Sequence, residues 1–240
     1  MEWKQYNTEK IKSRYLFKFL SEKNLMKFLH TGNIWFSRSD KFGDKMECVM
    51  ISDLTKKIPD FQEIEARKRR HIISCFHEGN KETLAFWDTY SEKEEDRRKY
   101  ALRFNREDFI DRIEPILLAD NSIQNIVTMV HGKVKYKNLI GVNSTRLQEN
   151  KVKYSAFRKE YAFAYEREYR FDILLADEFK DLGFNLKIGN PSEIDFSILV
   201  NPLLKNSDYI NCLETLKKTD FAKKFKKSIL TRWLKPELWK

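Results

Sequence analysis

The sequence predicts an α+β domain with a mixed or antiparallel central sheet that is flanked by helices. Short runs of aromatic and β-branched residues, typical of strands, alternate with apolar residues at helical spacing. Glycine and proline are scarce, at 7 and 5 of 240 residues, which argues against repeats, collagen-like segments and long linkers. Aromatic residues make up 14% and apolar residues 41% of the chain, which is enough for a sizeable core. We therefore expect one domain over residues 1–240.

The predicted elements begin with a strand over residues 14–20 and a short helix, which Ser21 caps and which ends before Gly32. Further predicted strands lie at residues 34–37, 72–76, 100–104, 126–136, 161–175 and 194–200. Further predicted helices lie at residues 60–70, 84–90, 105–118 and around 209–216, and residues 144–160 form a loop and a helix. Aromatic and aliphatic residues spaced four apart over 221–233 predict a packed terminal helix or strand.

The segment from Tyr161 to Leu175 is the predicted central strand, because aromatic and β-branched residues dominate it and Pro and Gly are absent. Alternate side chains of a strand share a face, so Glu166, Glu168 and Arg170 are expected to point the same way. Such a row of charges is typical of a cleft that binds a ligand. It is equally typical of a solvated edge or of an ion network between strands, and the spacing leaves both interpretations open.

The formal net charge of the chain is +10. Residues 203–240 carry ten Lys and Arg against four Asp and Glu, and we interpret them as a basic C-terminal extension. A charge bias of this kind indicates an acidic partner, with nucleic acid as the first candidate. A lysine-rich solvated surface is the alternative.

The remaining composition favours a cytoplasmic protein without a metal site. The three cysteines form no CxxC pair, and the four histidines lack the spacing of metal ligands. No apolar run approaches the roughly 18 residues that a membrane span needs. The first residues are polar, without the apolar segment of a signal peptide. We therefore expect a reducing compartment and no membrane partner.

Five local motifs stand out, at Tyr15–Phe19, Trp35–Glu47, Ser74–His77, Trp87–Tyr90 and Glu166–Arg170. Their order and residues resemble the bacterial family called domain of unknown function 2971, and the resemblance spans roughly residues 14–205. Two positions depart from the family pattern, since Gly43 replaces the usual Asn and Lys45 replaces the usual Pro. The loop that carries Asp44 and Glu47 is therefore expected to differ in shape from that of the family.

The order of these parts is also similar, at a distance, to that of ADP-ribosyltransferases. Those enzymes carry a catalytic Glu, often in a Glu-x-Glu pair, on a late strand. The resemblance implies an NAD-dependent ADP-ribosyltransferase for which NAD is a substrate and a nucleic acid, RNA or DNA, is the acceptor. It also implies a bacterial toxin or phage-defence effector, with an antitoxin protein as a partner.

This second resemblance implies a role for each motif. Glu168 would bond the ribose 2′-hydroxyl and stabilise positive charge on the sugar, while Glu166 would orient or deprotonate the acceptor. Mutual repulsion would raise the pKa of one of these two carboxyl groups. The residues implied to bind NAD are Lys18, Trp35, Ser37, Ser74, Phe76, Trp87, Tyr90 and Arg170. Lys18 stands where those enzymes place Arg or His, which is a departure from their pattern.

Two other functions remain open from the sequence. One is a metal-dependent nuclease that would use Asp44, Glu47, Glu166 and Glu168, although no Lys completes the usual Asp/Glu-x-Lys pattern. The other is a module that binds nucleic acid or protein through the basic C-terminal region and catalyses nothing.

Overall fold

The computed structural model describes residues 3–6, 13–54, 56–88, 98–119, 123–139 and 152–238. The described residues form eleven strands: β1 (Trp3–Tyr6), β2 (Tyr15–Leu20), β3 (Asn33–Arg38), β4 (His71–Gly79), β5 (Tyr100–Asn105), β6 (Ile126–Lys133), β7 (Lys135–Lys137), β8 (Arg158–Glu160), β9 (Glu168–Leu175), β10 (Gly183–Lys187) and β11 (Ser197–Val200). They also form seven helices: α1 (Glu22–Thr31), α2 (Ile51–Leu54), α3 (Phe61–Lys68), α4 (Leu84–Asp88), α5 (Arg106–Ala119), α6 (Asn206–Lys217) and α7 (Ile229–Leu234).

The chain divides into two compact units. The first unit comprises Met1–Ile11, Ile34–Cys75 and Glu114–Leu186, and the second comprises Lys12–Asn33, Phe76–Ile113 and Lys187–Lys240. Strand β4 therefore contributes residues to both units, and so does helix α5. Both units combine strands with helices, which confirms the predicted α+β class.

The sheet of the first unit has β9 at its centre. Strand β6 lies antiparallel to β9, with Met129 opposite Ile173, and β1 lies parallel to β6. On its other side β9 neighbours β4, which pairs antiparallel with β3 through Ile73 and Ser37, and β3 pairs in turn with β10. All eight residues of β9 are buried, including its charged ones. Since buried charges need partners inside the protein, this strand dictates the polar contacts of the first unit.

The second unit holds an antiparallel set of strands. Strand β2 pairs with the last part of β4, β5 pairs with β2, and β11 pairs with β5. Aromatic contacts fill its core, among them a tilted pair of Phe104 and Phe109 at 4.5 Å and an edge-on pair of Phe76 and Phe109 at 5.0 Å between ring centroids. Helix α6 adds the buried Tyr209 and Cys212, so the predicted basic C-terminal extension contributes to this core.

The structure corrects the prediction for residues 161–175. Tyr161–Glu166 forms a 3₁₀ turn, Arg167 is left-handed with φ 46°, and the strand begins only at Glu168. The aromatic residues that suggested a strand, Tyr161 and Tyr165, are exposed on this turn. Propensity alone failed because the strand preference of an aromatic residue depends on a sheet to pack against.

The structure also differs from the prediction in several smaller places. Residues 152–157 form a 3₁₀ helix followed by the short strand β8, and β10 was not predicted. Residues 222–224 form a 3₁₀ turn before α7. The predicted contacts of Tyr90 and most of the charge run at residues 92–98 lie outside the described residues. Among the described residues, no helix has the length and apolar character to cross a membrane.

Helix α1 was predicted correctly from two local signals, its cap at Ser21 and its end at Gly32. The Ser21 side chain accepts a hydrogen bond from the backbone N–H of Asn24, and Gly32 ends the helix at φ 69°. The Gly32 carbonyl oxygen accepts from the N–H of Ile188 at 2.9 Å. A β-carbon on Gly32 would lie 1.9 Å from the carbonyl oxygen of Gly189. This position therefore requires glycine both for its φ and for its close approach.

We predict that Gly32→Ala lowers the free energy of unfolding by at least about 1–2 kcal/mol, the cost of a left-handed residue that carries a β-carbon. The urea midpoint measured by circular dichroism checks this. Gly43→Ala is the matched control, because a β-carbon there meets nothing within 4 Å. We expect that control to change stability by less than about 0.5 kcal/mol. Equal effects of the two substitutions would contradict the prediction.

Candidate functional site

Five ionisable side chains meet inside the first unit, and we call them the charge cluster: Glu47, Lys159, Glu166, Glu168 and Arg170. Each keeps between 1% and 8% of its surface exposed. Three carboxyl groups and two cationic groups are thus removed from water together. Because a buried charge without a partner is very costly, each member depends on the others.

Local backbone geometry brings Lys159, Glu166 and Glu168 together. The parallel pairing of β7 and β8 sets Lys159 beside Tyr136. The 3₁₀ turn then carries the chain to Glu166, and the left-handed Arg167 redirects it into β9. The N–H of Glu168 donates to the Tyr136 hydroxyl at 2.8 Å, which secures the start of the strand. This reversal directs both carboxyl groups toward the same ammonium group.

Arg170 uses its guanidinium to join three segments of the first unit. Its Nη1 and Nη2 bind the two carboxylate oxygens of Glu47, with Nη2 at 3.0 Å from Oε2. Nη1 also donates to the carbonyl oxygen of Ala156 at 2.6 Å, and Nε donates to Glu168. Glu168 and Arg170 lie two residues apart on β9, so their predicted shared face is confirmed. Glu166, which was predicted to share this face, instead lies on the 3₁₀ turn before the strand.

Lys159 bridges the two acidic residues that the sequence singled out. Its Nζ donates to Glu166 Oε2 at 2.6 Å and to Glu168 Oε1 at 3.3 Å. The ammonium group also lies 4.6 Å from the centroid of the Phe163 ring, a distance typical of a cation–π contact. Burial opposes the charged form of Lys159, but the attraction of Glu168 outweighs it and raises the pKa of the lysine.

The two glutamates of the Glu-x-Glu pair respond to this setting in opposite directions. Burial and the nearby Glu168 carboxylate raise the pKa of Glu166 to about 7. Burial would also raise the pKa of Glu168, but the positive charges of Arg170 and Lys159 prevail and lower it to about 2. Glu168 is therefore ionised near neutral pH while Glu166 exchanges a proton there. Burial also raises the pKa of Glu47, although the bidentate contact with the Arg170 guanidinium favours its ionised form.

The other predicted site residues of the first unit lie on β3 and β4. The Ser74 hydroxyl donates to the carbonyl oxygen of Trp35 at 3.0 Å and is buried. The Trp35 side chain is 43% exposed. The hydroxyl of Ser37 donates to the carbonyl oxygen of Arg38 at 3.3 Å. The Ser74 contact joins the two strands, whereas the Ser37 contact stays within β3, and the Trp35 ring is accessible.

The four remaining predicted site residues fall within the residue ranges of the second unit: Lys18, Phe76, Trp87 and Tyr90. The ammonium group of Lys18 lies 4.8 Å from the centroid of the Phe76 ring. Trp87 is only 2% exposed and packs edge-on against Phe19 at 4.7 Å. Its indole Nε1 is buried and has no hydrogen-bond partner among the described residues. Tyr90 lies outside the described residues.

Sequence reasoning missed Lys159 and Tyr136, and it left the role of Glu47 undecided. Lys159 stands in a segment predicted as a loop and a helix, without a pattern that relates it to the glutamates. Glu47 lies 123 residues before Arg170, so only the folded chain shows that they pair. No local signal would have identified these partners, because the contacts depend on the pairing of distant strands.

A second buried polar network lies in the same unit. His71 Nδ1 contacts the Asp172 carboxylate at 2.9 and 3.1 Å, and His71 Nε2 lies 3.2 Å from the Ser155 hydroxyl. The order Ser–His–Asp matches the contact pattern of a hydrolytic triad. All three side chains are fully buried, however, and the Ser155 hydroxyl donates to the carbonyl oxygen of Val152 at 2.7 Å. We therefore interpret this network as structural, because the Ser155 hydroxyl donates its proton to the backbone of its own 3₁₀ helix and not to His71.

The acidic residues do not form a metal site in the described parts of the chain. No group of three His, Cys, Asp or Glu side chains is placed there to hold an ion. Glu47, Glu166 and Glu168 bind Arg170 and Lys159, and a metal ion would have to displace these cations. Asp44 instead accepts from the backbone N–H of Met46 at 2.8 Å, which stabilises its own turn.

No family model matches this chain, and no curated protein or solved structure matches it either.

We predict that Arg170→Met lowers the free energy of unfolding by about 3–5 kcal/mol, because it leaves Glu47 and Glu168 buried without their cation. Denaturant unfolding followed by tryptophan fluorescence measures this. Arg69→Met is the matched control, since Arg69 forms an ion pair with Glu178 at 2.6 Å on the surface. An exposed pair contributes less than about 1 kcal/mol. A similar effect of both substitutions would show that burial of the cluster does not matter.

Proposed function

We propose that this protein is an NAD-dependent ADP-ribosyltransferase and that its charge cluster is the catalytic centre. The supporting observation is the opposite shift in the pKa values of two carboxyl groups that share one lysine, to about 2 for Glu168 and about 7 for Glu166. Neighbouring carboxyl groups held in different protonation states are typical of acid–base and glycosyl-transfer centres. The distant resemblance to ADP-ribosyltransferases names the same two residues.

Glu168 would stabilise the transition state. Cleavage of the bond between nicotinamide and ribose builds positive charge on the sugar, as in other oxocarbenium-like reactions. A carboxylate that accepts a hydrogen bond from the ribose 2′-hydroxyl gains strength as that charge develops, so it favours the transition state over bound NAD. Glu168 suits this role because it stays ionised and is the most exposed member of the cluster, at 8%.

Glu166 would serve as the general base toward the acceptor. A base works best when its pKa lies close to the working pH, and the pKa of Glu166 is raised to about 7. Once ionised, this carboxylate can take a proton from an acceptor hydroxyl or amine as the new bond to ribose forms. Lys159 contacts both glutamates and would hold their carboxyl groups in the positions that the two roles require.

Arg170 would act as a positioning residue in this mechanism. Its guanidinium already donates to Glu47, to Glu168 and to the carbonyl oxygen of Ala156. It would therefore maintain the ionised state of Glu168. Among the aromatic residues predicted to contact NAD, Trp35 has an accessible ring, and it would support the flat nicotinamide.

The proposal includes a nucleic acid acceptor and a role as a toxin or phage-defence effector with an antitoxin partner. The net charge of +10 supports a polyanionic acceptor, because a basic surface concentrates such molecules. The nuclease alternative receives less support, since the carboxylates it needs already bind internal cations.

We predict that the protein transfers radiolabel from NAD to RNA, DNA or protein in a lysate and that Glu168→Gln lowers the rate at least about 100-fold. This magnitude is typical for the loss of one group that stabilises a transition-state charge. Glu178→Gln is the matched control, because Glu178 is exposed and contacts Arg69 on the surface. Absence of transfer to any acceptor, or equal rates for the two variants, would refute the proposal.

We predict a pH-dependent stability effect for Glu166→Gln. The pKa of Glu166 is about 7 in the folded protein against an ordinary value of 4.5, so the folded state binds a proton in that window and the unfolded state does not. The stability contributed by Glu166 is therefore present below pH 4.5 and is lost as the pH rises through 7. Glutamine stays neutral, so the variant does not lose this contribution as the pH rises. The stability of the variant minus that of the native protein is therefore expected to be larger at pH 8 than at pH 5. Thermal melts at both pH values measure this.

We expect the opposite effect on stability from Glu168→Gln, because the pKa of Glu168 is lowered and that of Glu166 is raised. The pKa of Glu168 is lowered to about 2 from an ordinary value of 4.5, so its ionised form stabilises the fold above that window. We expect this variant to be less stable than the native protein at both pH 5 and pH 8. A Glu166→Gln variant whose relative stability does not depend on pH would show that Glu166 does not hold the exchangeable proton.

A further inference from the structure

We propose that the outward face of α7 binds single-stranded nucleic acid. Three exposed residues of α7 form this surface together with two exposed lysines that precede the helix, and we call it the α7 surface: Ile229, Arg232, Trp233, Lys226 and Lys227. All five belong to the second unit. The binding proposed here does not depend on the transfer of ADP-ribose by the charge cluster. The two proposals therefore succeed or fail separately.

Trp233 is the most informative member of this surface. The spacing of residues 221–233 predicts that it packs inward, yet its side chain is 80% exposed. A buried tryptophan typically removes about 150–250 Å² of surface from water, a stabilisation that this protein does not use in its own fold. Ile229 lies one helical turn before it and is also exposed. A partner that stacks on the indole ring would remove this surface from water, and the binding would gain that stabilisation.

Helix α7 is fixed in place by its opposite face. Ser228 caps it, and Thr231, one turn later, is fully buried with its hydroxyl 3.5 Å from that of Tyr209. After the next turn, Lys235 donates to Asn206 Oδ1 at 2.7 Å. Residues three and four apart share a helix face, so these anchors leave Ile229 and Trp233 pointing outward. The tryptophan is thus presented on an anchored helix, which lowers the entropy cost of binding.

The charges around Trp233 suit a phosphate backbone. Arg232 is its neighbour on the helix, and Lys226 and Lys227 immediately precede the cap at Ser228. The N–H of Lys226 donates to the carbonyl oxygen of Ile198 at 2.9 Å, so the lysines follow a point where the backbone is held to β11. Residues 203–240 carry ten Lys and Arg against four Asp and Glu, which makes this the basic part of the chain.

An aromatic ring beside lysine and arginine is the combination that holds single strands, because each base offers a flat face and each nucleotide a phosphate. In a duplex the bases already stack on one another and cannot cover the indole. Helix α7 has six residues, which is too short to present a broad apolar face. These features favour a single strand over a duplex or a lipid surface.

Fluorescence anisotropy with labelled 12-nucleotide DNA and RNA of mixed sequence tests this proposal on the full chain. We expect Trp233→Ala to weaken binding by about 5- to 150-fold, the range measured for one stacked base, and Trp233→Phe to retain most of the affinity. Phe61→Ala is the control for loss of an exposed aromatic side chain, because Phe61 is 71% exposed and belongs to the first unit. Circular dichroism confirms that each variant is folded.

A salt titration tests the basic residues. We expect Lys226→Ala combined with Lys227→Ala to reduce the slope of log affinity against log salt by about 1.4, or about 0.7 for each lost phosphate contact with a single strand. The double change Lys56→Ala and Lys57→Ala removes the same charge from exposed residues of the first unit and should leave the slope unchanged. A slope reduced equally by both pairs would overturn the assignment of the surface.

Two other outcomes would also overturn the proposal. One is oligonucleotide binding that Trp233→Ala leaves unaltered. The other is Trp233-dependent binding to vesicles of anionic phospholipid in the absence of oligonucleotide binding, which would assign the surface to a membrane. Failure of the NAD labelling experiment together with Trp233-dependent oligonucleotide binding would leave a nucleic-acid-binding protein without the proposed enzyme activity.

Discussion

The contact between Arg170 and its two buried glutamates is the interaction on which the first unit depends. Strand β9 is buried along its whole length, yet it carries Glu168, Arg170 and Asp172 on one face. Desolvation of these groups is tolerable only because each has an opposite charge or a hydrogen-bond partner within the unit. Arg170 reaches Glu47 and Ala156, and Asp172 reaches His71, so one strand ties distant segments together.

The same contacts explain why adjacent glutamates behave differently. Glu168 faces two cations and is held ionised, whereas Glu166 contacts Lys159 and lies beside a negative carboxylate. An arrangement that satisfies buried charges thereby creates a group that exchanges a proton near neutral pH. Structural ion networks and catalytic centres use the same physics, which is why the spacing of charges could not distinguish them. The separation in protonation state is what favours a catalytic interpretation.

The second unit uses a different chemistry. Aromatic rings fill its core, and its surface collects the basic residues of the C-terminal region. Helix α7 combines both tendencies, since its anchored face is buried while its outward face leaves Trp233 and Arg232 in water. An enzyme that acts on a polyanion would benefit from such a surface, and a protein that only binds nucleic acid would need it. Nucleic-acid binding by the α7 surface would thus be compatible with a first unit that is an enzyme and with one that catalyses nothing.

Residues close together in the chain were enough to predict the α+β class, helix α1 with its Ser21 cap and Gly32 end, and the shared face of Glu168 and Arg170. These features follow from backbone geometry and side-chain periodicity, which act over a few residues. The 3₁₀ turn before Glu168, the bridging role of Lys159 and the pairing of Glu47 with Arg170 could not be predicted in this way. They arise from contacts between segments that folding brings together. Burial and the neighbouring charges of Arg170, Lys159 and the carboxylates together set the protonation of the two glutamates. The packing of the opposite face of α7 leaves Trp233 exposed.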